Sequence, residues 1–131
     1  MYSIDIKSDS RYPIDRDRIR GAIEDVLQKE GLKSEVEVSV FVVGKRKMHG
    51  LNLQWRGLDY ATNVLSFCQN ETKEGSDEYA YPDNQVLYLG DVVVCYPVAR
   101  EQARESWLMV DDWIETLVRH SMEHLLGRHH V

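Results

Sequence analysis

The sequence predicts an α+β fold, a small mixed β-sheet of about four strands packed with helices, and three observations lead there. Two amino-terminal stretches alternate apolar and polar residues, the period-two pattern of half-buried strands. Several later stretches place apolar residues at helical spacing. Strand and helix signals are mixed without strict alternation, which favours a helical layer against a small mixed sheet over a regular α/β repeat.

In order, Tyr2, Ile4 and Ile6 alternate with polar residues and predict a strand, and 8–13 reads as a turn. Asp15 is placed to cap a helix carrying Ile19, Ala22, Ile23, Val26 and Leu27, with Gly31 as its stop. Val36, Val38, Val40 and Val42 give a second, stronger strand punctuated by Gly44. Met48 and Leu51 suggest a short helix over 45–54, and 62–67 has strand composition. Residues 68–84 read as a long acidic loop. The stretch 86–96, nearly all apolar after Asp91, reads as a central strand. Pro97 can open a helix that breaks near Ser106. A final helix from about Met109 or Asp111 carries Trp113, Ile114, Leu117, Val118 and Leu125 on its apolar side.

At 131 residues the chain is read as one domain over 1–131, large enough for a core without staples. Hydrophobic residues at 43% and charged residues at 29% are ordinary for a globular protein. No membrane-length apolar run and no signal-peptide pattern is present, so a cytoplasmic location and no membrane partner are expected. Cys68 and Cys95 are far apart and read as reduced core thiols. The net charge of −6 argues against blanket nucleic-acid affinity. Its distribution is uneven, however. Lys45, Arg46, Lys47 and Arg56 fall in a segment without acids, a local patch able to bind phosphate.

The chemistry concentrates at the carboxy terminus, His120-Ser-Met-Glu-His124-Leu-Leu-Gly127-Arg-His-His130. On a helix, His120 and His124 project from one face and can reach one metal ion. Their register also places them partly inward, toward the sheet. Gly127 is placed to end the helix in a left-handed conformation and reverse the tail, which would offer His130 as third ligand, with His129 as the alternative. Three histidines with one open position is the arrangement of catalytic zinc, here a zincin-like site on the closing helix. Zinc peptidases of the His-Glu-x-x-His type place a glutamate base after the first ligand; Ser121 stands there instead.

Three segments resemble the YbeY family of bacterial metal-dependent endoribonucleases. Leu51-Asn52-x-x-Trp55-Arg56-Gly57-x-Asp59-x-x-Thr62-Asn63-Val64-Leu65-Ser66-Phe67 looks like the family's Arg-Gly-x-Asp…Thr-Asp/Asn-Val-Leu-Ser-Phe block. Leu89-Gly90-Asp91-Val92-Val93-Val94 resembles its Gly-Asp-Ile/Val strand, and the terminal stretch its His-Gly-x-Leu-His-Leu-x-Gly-Tyr-Asp-His signature. Ser121, Glu123 and Arg128-His129 depart from that signature. The resemblance implies one zinc ion held by His120, His124 and His130, and a functional Arg56. It also implies single-stranded RNA as substrate, a part in ribosomal RNA maturation, and association with the small ribosomal subunit. On that expectation Arg56 and the metal stabilise charge on the phosphoryl oxygens, with His120 in the catalytic set. Lys45, Arg46 and Lys47 track the RNA backbone. Trp55, Tyr60 and Phe67 could stack on bases, although core packing is the commoner role for such residues. His49 has no evident partner in the sequence and reads as a solvent-exposed or capping residue. Two other classes fit the same histidines: a zinc hydrolase of a non-nucleic substrate, and a ribosome-associated binding module whose zinc is closed by His129, Glu123 or Cys68.

Overall fold

The structure is a computed structural model describing residues 2–32, 34–69 and 86–130; the side chains of 128–130 lie outside the description. The chain runs β1 (Tyr2–Ser8), α1 (Arg16–Glu30), β2 (Glu35–Val43), α2 (Lys45–Arg56), β3 (Val64–Cys68), β4 (Val86–Cys95), α3 (Tyr96–Glu105) and α4 (Val110–His130). The four strands form one mixed sheet in the order β1-β2-β4-β3. β1 and β4 lie parallel to β2, and β3 closes the edge antiparallel to β4. The α+β expectation and its four strands are therefore found. The acidic segment expected as a loop falls largely on 70–85, outside the described residues.

Periodicity explains the packing. The even-numbered valines of β2, Val36 to Val42, are all buried, as are Ile4 and Ile6 of β1 and Leu87, Leu89, Val92 and Val94 of β4. They meet Ile19, Ile23 and Leu27 of α1 and Ile114, Leu117, Val118, Met122 and Leu125 of α4, so both helices cover the same sheet face. Asp15 caps α1 by accepting from the Arg18 amide, and Gly31 ends it at φ 72°. On the opposite face α2 seats Met48 against Leu65, Val93 and Cys95, with Phe41 and Val43 of β2 packed alongside. Both cysteines are free thiols. Burial pushes the Cys95 thiol above its usual range.

Gly90 fits its place through conformation and space. It sits at φ 142° in β4, where a Cβ would come within 2.0 Å of the Phe67 carbonyl oxygen. The ladder between β2 and β4 shifts register beside it, between Glu37 and Val38, as at a β-bulge. No helix among the described residues is long and apolar enough to cross a membrane.

Candidate metal centre and nucleic-acid face

α4 divides its residues cleanly. Ser121, Met122, Leu125 and Leu126 are buried, while His120, Glu123, His124 and Gly127 are exposed. The expectation that the two histidines face partly inward is corrected: they ride the solvent side, because the core stripe of this helix passes through residues 121, 122, 125 and 126 instead. Their Nε2 atoms converge to 3.1 Å, with the rings nearly perpendicular at 84°. At that distance one ring donates its Nε2–H to the other. A cation held tetrahedrally by two imidazoles at about 2.0–2.1 Å would separate the nitrogens by about 3.3 Å. The pair thus fits as two ligands of one ion.

Among the described residues no third ligand joins the pair. The reversal expected at Gly127 is absent: α4 continues to His130, and Gly127 is not among the glycines with positive φ. Buried Leu125 and Leu126 hold the preceding turn on the core, and glycine within a helix is a cost, not a stop. Along an unbroken helix, the His130 backbone lies about 15 Å from that of His120 and about 9 Å from that of His124. The side chains of His129 and His130 lie outside the described residues. Among the described residues no three His, Cys, Asp or Glu groups gather around one point.

Ser121, adjacent to the first histidine, is 1% exposed and hydrogen-bonded to the Ser66 hydroxyl of β3. The position a zinc peptidase uses for its base therefore points into the protein. The next residue of β3, Phe67, turns to the opposite face, where Trp55 of α2 meets it edge-on at 6.0 Å. Arg56 follows Trp55 at the last position of α2, before Gly57 at φ 71°. Edge strand β3 thus has the histidine-bearing helix against one face and the end of α2 against the other.

Arg56 is exposed and makes no ion pair with an acid among the described residues. Asp59, three residues on, meets His49 Nε2 at 2.6 Å, so His49 is exposed as expected but has a partner that the sequence did not signal. The two are ten residues apart across the Gly57 turn, and no periodicity signals such a pair. Trp55 and Tyr60 are 59% and 55% exposed, so core packing does not describe them. Trp55 continues the Met48–Leu51 stripe, but at that point the helix overhangs the edge of the sheet. Phe67 is half-buried, as a core residue should be. Asn52 is fully buried and donates to the Tyr60 carbonyl at 2.8 Å, which holds the 57–63 loop to α2.

Lys45, Arg46 and Lys47 are not beside Arg56. They form the first turn of α2, about 16 Å from Arg56 along the helix. Lys45 pairs with Glu101 of α3 at 2.9 Å. Asp91 is not among the site residues that the sequence points to. Opposite Phe67 in the ladder and half-buried, its carboxyl is pushed above the usual range by desolvation. The available signal was an acid inside an apolar strand.

Comparison with known proteins agrees with the architecture. Residues 4–131 match the family model described as Endoribonuclease YbeY. A protein of that name from Acinetobacter baumannii (strain AB307-0294) is 34% identical over 131 residues, covering 98% of this chain and 80% of the relative. One from Acidothermus cellulolyticus is 33% identical, covering 98% and 79%. One from Desulforamulus reducens is 34% identical over 113 residues, covering 86% and 71%. The solution structure of TM1509 from Thermotoga maritima superposes with a TM-score of 0.59 at 24% identity, over 93% of this chain and 71% of the other, and shares the fold. With the family model matching all but the first three residues, the chain belongs to the Endoribonuclease YbeY family.

Proposed function

We propose that the protein is a metal-dependent endoribonuclease that cleaves single-stranded RNA during ribosomal RNA maturation, working in the cytoplasm with the small ribosomal subunit. The observation that carries this reading is the 3.1 Å approach of His120 and His124 Nε2 on a solvent-facing turn, with Arg56, which has no ion pair among the described residues, off the other face of β3. The whole of 1–131 serves as one catalytic domain.

His120 and His124 hold the metal, taken to be a single zinc ion, and His130 is the third ligand. When bound, the ion would supply Lewis acidity and a water acidified to near neutrality. Residues of the chain have separate tasks. Arg56 presents a guanidinium, with no acid neutralising it among the described residues, to the phosphoryl oxygens, where a fork of N–H donors matches two oxygens at once. Trp55 and Tyr60, exposed beside it, offer ring faces to unpaired bases. Asn52 and the His49–Asp59 pair hold the loop that carries Tyr60. Lys45, Arg46 and Lys47 contact the RNA backbone. Buried Ser121 leaves no side-chain base beside the first histidine, which argues against a peptidase.

The test is cleavage of labelled single-stranded RNA alongside metal quantification. His120→Ala and His124→Ala should each lose bound zinc and cut activity about 100-fold or more. Arg56→Ala should lower cleavage about 10- to 100-fold while retaining the metal. Undiminished cleavage by metal-free protein would overturn the reading.

A further inference from the structure

The opposite end of α2 carries a second feature that the hydrolytic centre does not use. An open groove of about 740 Å³ lies between the ends of β1 and β2 and the start of α2. Lys7, Arg11, Lys45, Arg46 and Lys47 line it against a single acid, Asp9. That carboxylate is already engaged by Arg11, through Nε at 3.1 Å, a terminal nitrogen at 2.9 Å and the backbone amide at 2.9 Å. The groove therefore carries a strong local excess of positive charge on a chain whose net charge is −6.

Its construction runs against ordinary helix electrostatics. The Tyr12 hydroxyl lies 2.7 Å from where a Cβ on Gly44 would sit, and Tyr12 is itself stacked on Tyr96 at 5.1 Å. Gly44 can therefore offer no capping side chain, and the first turn of α2 holds no acid. Three cations follow at the positive end of the helix dipole, where they are disfavoured. Arg46 and Lys47 have no ion pair among the described residues, the pairs of Lys7 and Lys45 are solvent-exposed ones that a phosphate can replace, and Arg11 can meet a phosphate through the terminal nitrogen that does not bond Asp9. Neither ring lining the groove is free to read a base: Tyr12 is stacked, and Phe41 lies under Lys7. A site of this kind responds to charge and not to sequence.

We propose that this groove is a second, non-catalytic anchor for the phosphodiester backbone of RNA, selecting substrates long enough to reach both ends of α2. The inference rests on the endoribonuclease reading and deepens it: Lys7 and Arg11 join the first turn of α2 in one site, about 16 Å along that helix from Arg56. A short oligonucleotide occupies one end of α2; a longer strand spans both and gains affinity as a tethered ligand does.

The experiment measures binding of the full chain to fluorescent single strands of 5 and 20 nucleotides across a salt series, with wild-type cleavage assayed in parallel. Arg46→Glu combined with Lys47→Glu should weaken 20-mer binding about 10-fold or more and 5-mer binding much less. It should also reduce the salt slope for the 20-mer by about 1.4, because each phosphate neutralised on a single strand adds roughly 0.7 to that slope. Exchanging the two cations, Arg46→Lys with Lys47→Arg, should restore the long-strand affinity and separates charge from folding. Equal losses on both lengths, or an unchanged salt slope, overturn the anchor. The anchor survives if length-dependent binding is found in a wild-type protein that cleaves nothing; that outcome would sink the nuclease reading alone.

Discussion

The two halves of α4 are built for different ends. Up to Arg119 the helix is clasped to α1 by charge as well as by packing. Arg18 reaches both Asp112 and Glu115, and Arg119 joins Asp25 at 2.7 Å and Glu115 at 2.8 Å. Beyond Arg119, among the described residues, it is held from one side, by Met122, Leu125 and Leu126 against the core and by the Ser121–Ser66 contact. Its outer side carries the histidines and no ion pair among the described residues. The lesson is that the helix is anchored where it does no chemistry and left free where it could, so stability and function should respond to different substitutions.

The largest test of that division is Met122→Ala. The side chain is 0% exposed, and its loss should cost about 2–5 kcal/mol of unfolding free energy, read by urea denaturation. His120→Ala and His124→Ala, one turn away, should shift the same curve by only about 0.5 kcal/mol or less, because exposed positions carry little packing. A comparable loss from either histidine would erase the contrast.

Next comes the glycine within the free half. If His130 completes a three-histidine site, α4 must open at Gly127. Gly127→Ala, which gains roughly 0.5–1 kcal/mol of helix stability, should then weaken zinc binding by about 2- to 5-fold in calorimetry. Circular dichroism should show slightly more helix in the variant. Unaltered affinity would mean that the pair recruits its further ligand without unwinding the helix.

The smallest effect belongs to the clasped half and depends on pH. Hydrogen bonds from Arg18 and then Arg119 hold the Glu115 carboxyl below the usual carboxylate range. Its folded pKa is depressed, so its contribution is full at neutral pH and fades as pH falls through the ordinary carboxylate range toward the lowered value. Glu115→Gln should therefore lower Tm by roughly 2–4 °C at neutral pH, and the gap to wild type should close on acidification. A gap that widens in acid would break the assignment.

Much of this is legible in the sequence where the signal is local. Alternation along β2 and the Asp15 and Gly31 signals around α1 depend on neighbours a few residues away, and the structure has both. The strand expected over 62–67 differs at its start, because that start depends on pairing: the Asn63 carbonyl still accepts from Cys95, but regular strand begins only at Val64. His120 and His124 share a face for the same reason any i, i+4 pair does. The residues whose roles differ from expectation are those whose environment is supplied from afar. Trp55 has a core residue's spacing but overhangs the edge strand, and His49 finds Asp59 only because the chain turns at Gly57. Gly127 has a helix stop's composition but continues, since its neighbours are already committed to the core.

By itself, then, the sequence determined the identity and order of the elements, the charge pattern and the helical pairing of two imidazoles, all consequences of backbone periods of two and 3.6 residues. Only the tertiary structure decided that the end of α2 and the histidine-bearing half of α4 lie on opposite faces of one strand, and that the basic turn lies at the far end of α2. Those relations join residues as far apart as Ser66 and Ser121, fifty-five positions along the chain. They follow from how helices cover the two faces of a sheet, a matter of packing that no local pattern encodes.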